Sequence, residues 1–211
     1  MKVLSWDVGI YNLSYCILEK NENEEPKIIA WDIVNLVDNE AMKKDRNLLF
    51  ENIPRKLHEI PELLNVDIVV IENQPSLKNP QMKSIQMILY SYFLILGKVI
   101  GSEKSTTYID KIEFCSASNK LKVYDGPTII LEEKKKNKKI IEVEDVTINN
   151  TVKKSSSVKY ADKKRLAIEH AKYYLEQNLD YKNFFNDNKK KDDLSDSFLQ
   201  GLYYIKKLTK I

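Results

Sequence analysis

The sequence predicts an α/β protein built on a mixed five-stranded sheet, three antiparallel strands followed by two parallel ones, flanked by helices. Three observations predict it. The first 35 residues hold three apolar runs separated by turn-forming residues. Two later apolar runs alternate with stretches of helical periodicity, the pattern of parallel strands with crossovers. The chain then closes on two further helical stretches, at about 159–178 and 191–208.

The elements follow in order. Residues 2–8 and 13–20 are apolar runs joined by Gly9-Ile10-Tyr11-Asn12, a hairpin signature. Residues 27–35 supply the third strand. Residues 39–60 have helical spacing through Leu48, Leu49, Ile53, Leu57 and Ile60, with Pro54 as the expected kink or break. Residues 66–72 are nearly all apolar and suit a central strand buried on both faces. Residues 80–101 repeat Met82, Ile85, Ile88, Leu89, Tyr92, Phe93, Leu96 and Val99, a helix apolar on more than one side and so a core or subunit-interface helix. Residues 106–115 form the fifth strand. Residues 116–158 show no firm pattern beyond a possible hairpin of 128–132 with 140–143, and read as a basic insert in a single domain spanning 1–211.

Composition narrows the function. With 43% apolar residues the chain is globular. No run approaches about 18 uncharged apolar residues, so no membrane span is expected. The early Asp7 argues against a signal peptide, and a cytoplasmic protein is expected. Cys16 and Cys115 lack metal-ligand spacing and read as reduced packing residues. Net charge is only +3, but residues 134–164 hold ten lysines against four acids, and such asymmetry suits a polyanionic partner.

The acids carry the chemistry. Asp7 ends an apolar strand whose one face holds Val3 and Ser5 and the other Leu4, Trp6 and Val8. It is either a ligand or an acceptor for the following turn. Glu72 ends the most apolar strand, where ligand sites gather in open α/β sheets, or is an ordinary strand-end acid. Residues 189–198 open the last helix with Lys-Lys-Lys-Asp-Asp-Leu-Ser-Asp. First-turn acids there could simply favour the macrodipole. Asp196, however, lies opposite Leu194 and in line with Leu199 and Tyr203, on a second apolar side where a carboxylate wants a cation. Spacing allows either Asp192 or Asp193 as its partner. Two divalent cations about 4 Å apart, held by such carboxylates, can activate water and stabilise a leaving oxygen.

These motifs resemble those of RuvC-type Holliday junction resolvases, which have the ribonuclease H fold. Asp7-Val8-Gly9-Ile10-Tyr11-Asn12 is similar to the family's first motif and Val69-Val70-Ile71-Glu72-Asn73-Gln74 to its second. The run from Lys191 to Ser197 resembles the final helix motif, most like the mitochondrial and poxvirus branches. The resemblance covers the chain except 116–158. It implies a ribonuclease H-like sheet and an endonuclease that resolves four-way DNA junctions, in viral replication or recombination if poxviral. It also implies Asp7, Glu72, Asp193 and Asp196 as ligands, Asp192 being the alternative. Mg²⁺ would be the cofactor, two ions per site with Mn²⁺ able to substitute. The active form would be a homodimer, for which 80–101 is the candidate contact. Lys78, Lys163, Lys164, Arg165, Lys189, Lys190 and Lys191 are candidate phosphate contacts on branched DNA. Two other classes remain open: an actin-like phosphotransferase, which would want a second Gly-rich hairpin, and a non-catalytic DNA-binding protein.

Overall fold

A computed structural model describes residues 1–101, 108–129, 131 and 160–209. Five strands form one sheet: β1 (Lys2–Val8), β2 (Asn12–Glu19), β3 (Lys27–Asn35), β4 (Ile68–Glu72) and β5 (Lys111–Cys115). Their order is β3-β2-β1-β4-β5. β1 pairs antiparallel with β2, and β2 with β3, while β1–β4 and β4–β5 are parallel, as the apolar runs predict. The β1–β2 turn is tight at Gly9, where a Cβ would lie 2.5 Å from the Asn12 carbonyl oxygen, so a side chain there would force the hairpin open.

Alternation along the strands builds two cores. Leu4, Trp6, Val8, Val69 and Ile71 face one side of the sheet. They are covered by α2 (Arg46–His58) and α3 (Pro80–Phe93), which supply Leu49, Ile53, Leu57, Ile85, Leu89 and Phe93. Val3, Ile68 and Val70 face the other side. There they meet α4 (Tyr160–Leu175), α5 (Leu179–Asp187) and α6 (Lys191–Thr209). The result is three layers with the sheet in the middle.

α6 is apolar on two sides because it lies between the sheet and other helical elements; Leu194, Phe198, Leu199, Leu202 and Ile205 are all buried. Its approach to the sheet depends on Gly201, where a Cβ would come within 3.0 Å of Leu18 and Ser5. Gln200 sews it to β1 by donating to Ser5 Oγ at 3.0 Å and the Trp6 carbonyl at 3.1 Å. Trp31 on β3 donates to the Leu194 carbonyl at 3.1 Å and stacks on Phe185 of α5.

Several details differ from the sequence expectations. The 39–60 helix breaks at Asp45, not Pro54: α1 (Glu40–Lys44) ends there, and the Asp45 carboxylate caps α2 by accepting from the Asn47 and Leu48 amides. Pro54 is accommodated inside α2. The 80–101 helix changes to π-helical winding at Leu94–Ile100. There the Gly97 carbonyl accepts from the Ile109 amide at 3.1 Å, a bond directed out of the helix. Pro80–Ile100 is in fact long and apolar enough to cross a membrane, with mean hydropathy 1.2, since its few charges are widely spaced. It packs on β4 and α2 as one layer of the core. α5 is an extra helix within the segment expected to join the last two. The insert is not featureless throughout. Ser116 caps a 3-10 turn at Ala117–Val123, and Val123 is buried under α4. The possible 128–132/140–143 hairpin and the lysines at 134–159 lie outside the described residues. Cys16 and Cys115 are both buried and free.

Candidate active site

Asp7 and Glu72 share a face of the sheet because of strand parity. Asp7 follows Val3 and Ser5, and Glu72 follows Ile68 and Val70, all on the α6 side. β1 and β4 run parallel with Trp6 beside Ile71, so the two carboxylates end adjacent strands at the same edge. α6 crosses this edge. Asp196 and Gln200 are one turn apart on it, so the Gln200 bonds to β1 bring Asp196 to the strand ends.

The three carboxylates surround one ammonium. Lys120 Nζ lies 4.0 Å from Asp7 Oδ1 and 3.4 Å from Glu72 Oε1, and it donates directly to Asp196 Oδ2. Lys120 was not among the residues singled out by sequence. It sits in the 3-10 turn after β5, the third parallel strand, so its turn opens at the same edge of the sheet. The cap at Ser116 and the apolar pair Leu121 and Val123 are the local signals of order; what Lys120 touches is set by residues 48 and 76 positions away. The Tyr174 hydroxyl fixes the far end of the turn by donating to the Val123 carbonyl at 2.7 Å.

Electrostatics follow from crowding like charges in a recess. Burial first, then Glu72 and Asp196, hold the Asp7 carboxyl well above the usual carboxylate range. Burial also raises Asp196, to about 6, although Lys120 pulls it back. For Lys120, burial works against the charge, but Asp196, Asp7 and Glu72 outweigh it and the ammonium is held more firmly than an ordinary lysine.

The two remaining acids separate. Asp192 is paired with Lys164, which outweighs burial and keeps its carboxyl low. Asp193 is raised by burial and by Asp192, and it feels the Lys120 charge, while Lys190 stands 3.9 Å away. Asp192 is thus engaged by Lys164, and the lysine nearest Asp193 is Lys190. Of the lysines flagged by sequence, Lys191 donates to the Asn188 carbonyl at 2.7 Å, and Arg165 lies 3.6 Å from Asp162. Lys78, Lys163 and Lys189 are exposed.

Hard oxygen donors from three elements around one positive charge suit a divalent cation such as Mg²⁺, which takes few protein ligands and keeps waters. Among the described residues no acids are gathered into a ready cage; the ammonium holds the central place. The donor set fits such a cation once Lys120 yields that place.

The three layers and the strand order define a ribonuclease H-like fold. Among solved structures, the fowlpox virus resolvase in complex with its substrate Holliday junction DNA is 19% identical, with both chains covered fully and a TM-score of 0.56. The yeast mitochondrial Holliday junction resolvase is 18% identical over 96% of this chain and 78% of that one, with a TM-score of 0.58. An uncharacterised protein of Acanthamoeba polyphaga mimivirus is 38% identical over 160 residues, 73% of this chain and 33% of that protein. The chain therefore spans about a third of that relative's length. No family model matches.

Proposed function

We propose that this chain is a metal-dependent endonuclease that resolves four-way DNA junctions. The observation that carries the reading is the convergence of Asp7, Glu72 and Asp196, from β1, β4 and α6, on one ammonium at the strand ends of a ribonuclease H-like sheet. Asp7, Glu72, Asp193 and Asp196 would hold Mg²⁺, with Mn²⁺ able to substitute. A divalent cation pair there would supply an activated water and stabilisation of the leaving oxygen. Lys120, released from Asp196, would neutralise the attacked phosphate. Lys78, Lys163, Lys164, Arg165 and Lys189 to Lys191 would meet flanking phosphates. The solved relatives act on Holliday junctions by their names, and the fowlpox enzyme is seen with one. Its substrates would be replication or recombination intermediates, with the cytoplasm as the proposed setting.

Synthetic four-way junctions and linear duplex, incubated with Mg²⁺ or EDTA, test the reading. Junction cutting should require the cation. Cation affinity should also depend on pH. Asp196 and Asp7, both held above the usual carboxylate range, must lose their protons to ligate, so affinity falls as pH drops through about 6, the value for Asp196, by about tenfold or more per unit. A flat affinity between pH 5 and 8 would contradict the assignment of Asp196. ATP turnover without cutting would favour a phosphotransferase.

A homodimer is part of the proposal. α3 and the π-helical segment expose Met87 and Ile95, beside a groove lined also by Pro54, Arg55, Ile88 and Tyr92. A single patch repeated in a two-fold pair would place two active sites for paired cuts. Ile95→Glu should convert a dimer to a monomer in sedimentation; a monomeric wild-type protein on DNA would reject this part.

A further inference from the structure

Glu72 is gripped from two sides. Its Oε1 faces Lys120, while its Oε2 accepts a 2.6 Å hydrogen bond from Gln74 Nε2. Gln74 is buried, and its own amide N–H donates to Gln86 Oε1 at 2.8 Å. Gln86 projects from α3, is fully buried, and accepts a second bond at the same oxygen from Lys83 Nζ at 3.2 Å. Lys83 in turn reaches Asn73 Oδ1 at 3.2 Å and lies over the Phe114 ring.

Two donors at one oxygen settle which way the Gln86 amide points. They also leave its Nε2 buried with no hydrogen-bond partner. An orphaned amide nitrogen is unfavourable, and Leu or Met would fill the same volume without it. Packing therefore does not account for glutamine at 86. The need for an acceptor that holds the Gln74 backbone does. With that backbone fixed, the Gln74 amide meets Glu72 Oε2 and occupies it.

We propose that Gln74 and Gln86, backed by Lys83, are positioning residues that keep Glu72 Oε2 engaged and present Oε1 alone to a divalent cation. This rests on the reading of Glu72 as a ligand. Its consequence is cation choice. Mg²⁺ wants near-octahedral geometry and single-oxygen carboxylate ligands, whereas Ca²⁺ readily accepts both oxygens of one carboxylate. The clamp biases the site toward the smaller ion.

The test is Mn²⁺ titration by electron paramagnetic resonance, with Mg²⁺ and Ca²⁺ as competitors, on the whole chain and on Gln74→Leu, Gln86→Leu and Gln86→Glu. Asp7→Asn identifies the signal that belongs to this site. Gln74→Leu should weaken Mg²⁺ by about 10- to 100-fold. It should spare Ca²⁺, so the Mg²⁺-to-Ca²⁺ affinity ratio falls by about tenfold or more. Gln86→Leu should shift the ratio the same way, and it serves if Gln74→Leu does not fold. Gln86→Glu keeps an oxygen for both donors and should hold the ratio near the wild-type value. An equal loss for both ions, or an unchanged ratio in a folded variant, overturns the proposal. So does a wild-type protein with no Asp7-dependent Mn²⁺ site. A protein that binds Mn²⁺ there with the expected ratios but cuts no junction would instead refute the nuclease reading and leave the clamp standing.

Discussion

Asp7→Asn is expected to slow junction cleavage by on the order of 10³-fold while junction affinity and folding survive. The side chain ends β1 inside the recess and donates nothing to the sheet ladder, so the hairpin and the β1–β4 pairing do not need its charge. Its charge instead costs stability. The folded-state carboxyl stands well above its ordinary 3.8, so its stabilising contribution is full below about pH 3.8 and is lost as pH rises through the folded value. Asparagine suffers no such loss and can still donate to Glu72. At neutral pH in EDTA the variant should therefore melt no lower than the wild type. Melting curves, junction binding and single-turnover cleavage check the three parts. A lower melting point, or joint loss of binding, would show that Asp7 is structural.

Lys120→Met should have the opposite signature: a metal-free protein weakened by roughly 3–5 kcal/mol, the usual result of removing one partner from a buried charge cluster. Its side chain is only 16% exposed, so water cannot take over the neutralisation of Asp7, Glu72 and Asp196. Protonation would relieve part of the repulsion, so the defect should shrink at acid pH. Added Mg²⁺ should restore much of the lost stability, because it supplies positive charge to the same carboxylates. Denaturant unfolding with and without Mg²⁺ is the check. A variant as stable as the wild type in EDTA would mean that the ammonium is not what holds the carboxylates together.

Asp7 and Glu72 were legible in the sequence because period-two alternation assigns faces: each follows two residues of the α6-side face of its strand. Asp196 was legible because α6 is apolar on both sides of the acid. The choice between Asp192 and Asp193 was not, since both satisfy helical spacing. In the structure each stands beside a lysine, Asp192 with Lys164 and Asp193 with Lys190. Lys120 escaped because its partners are remote in sequence, although the cap at Ser116 and the apolar Leu121 and Val123 beside it signal an ordered turn. The break at Asp45 has a sequence signal, an Asp of the kind that caps a helix start, but Pro54 gave the stronger local signal. α5 packs through Phe185, stacked on Trp31, and its start carries a local signal in the Asn178 cap.

The most direct measurement of the central claim is single-turnover cleavage of one labelled four-way junction by the wild type and by Asp7→Asn, Glu72→Gln and Asp196→Asn, with Mg²⁺ and with EDTA. The four-carboxylate account predicts Mg²⁺-dependent cutting near the branch point by the wild type, spared linear duplex, and bound but uncut junction for each variant. Cutting that persists in EDTA, or in any of the three variants at the wild-type rate, would contradict it.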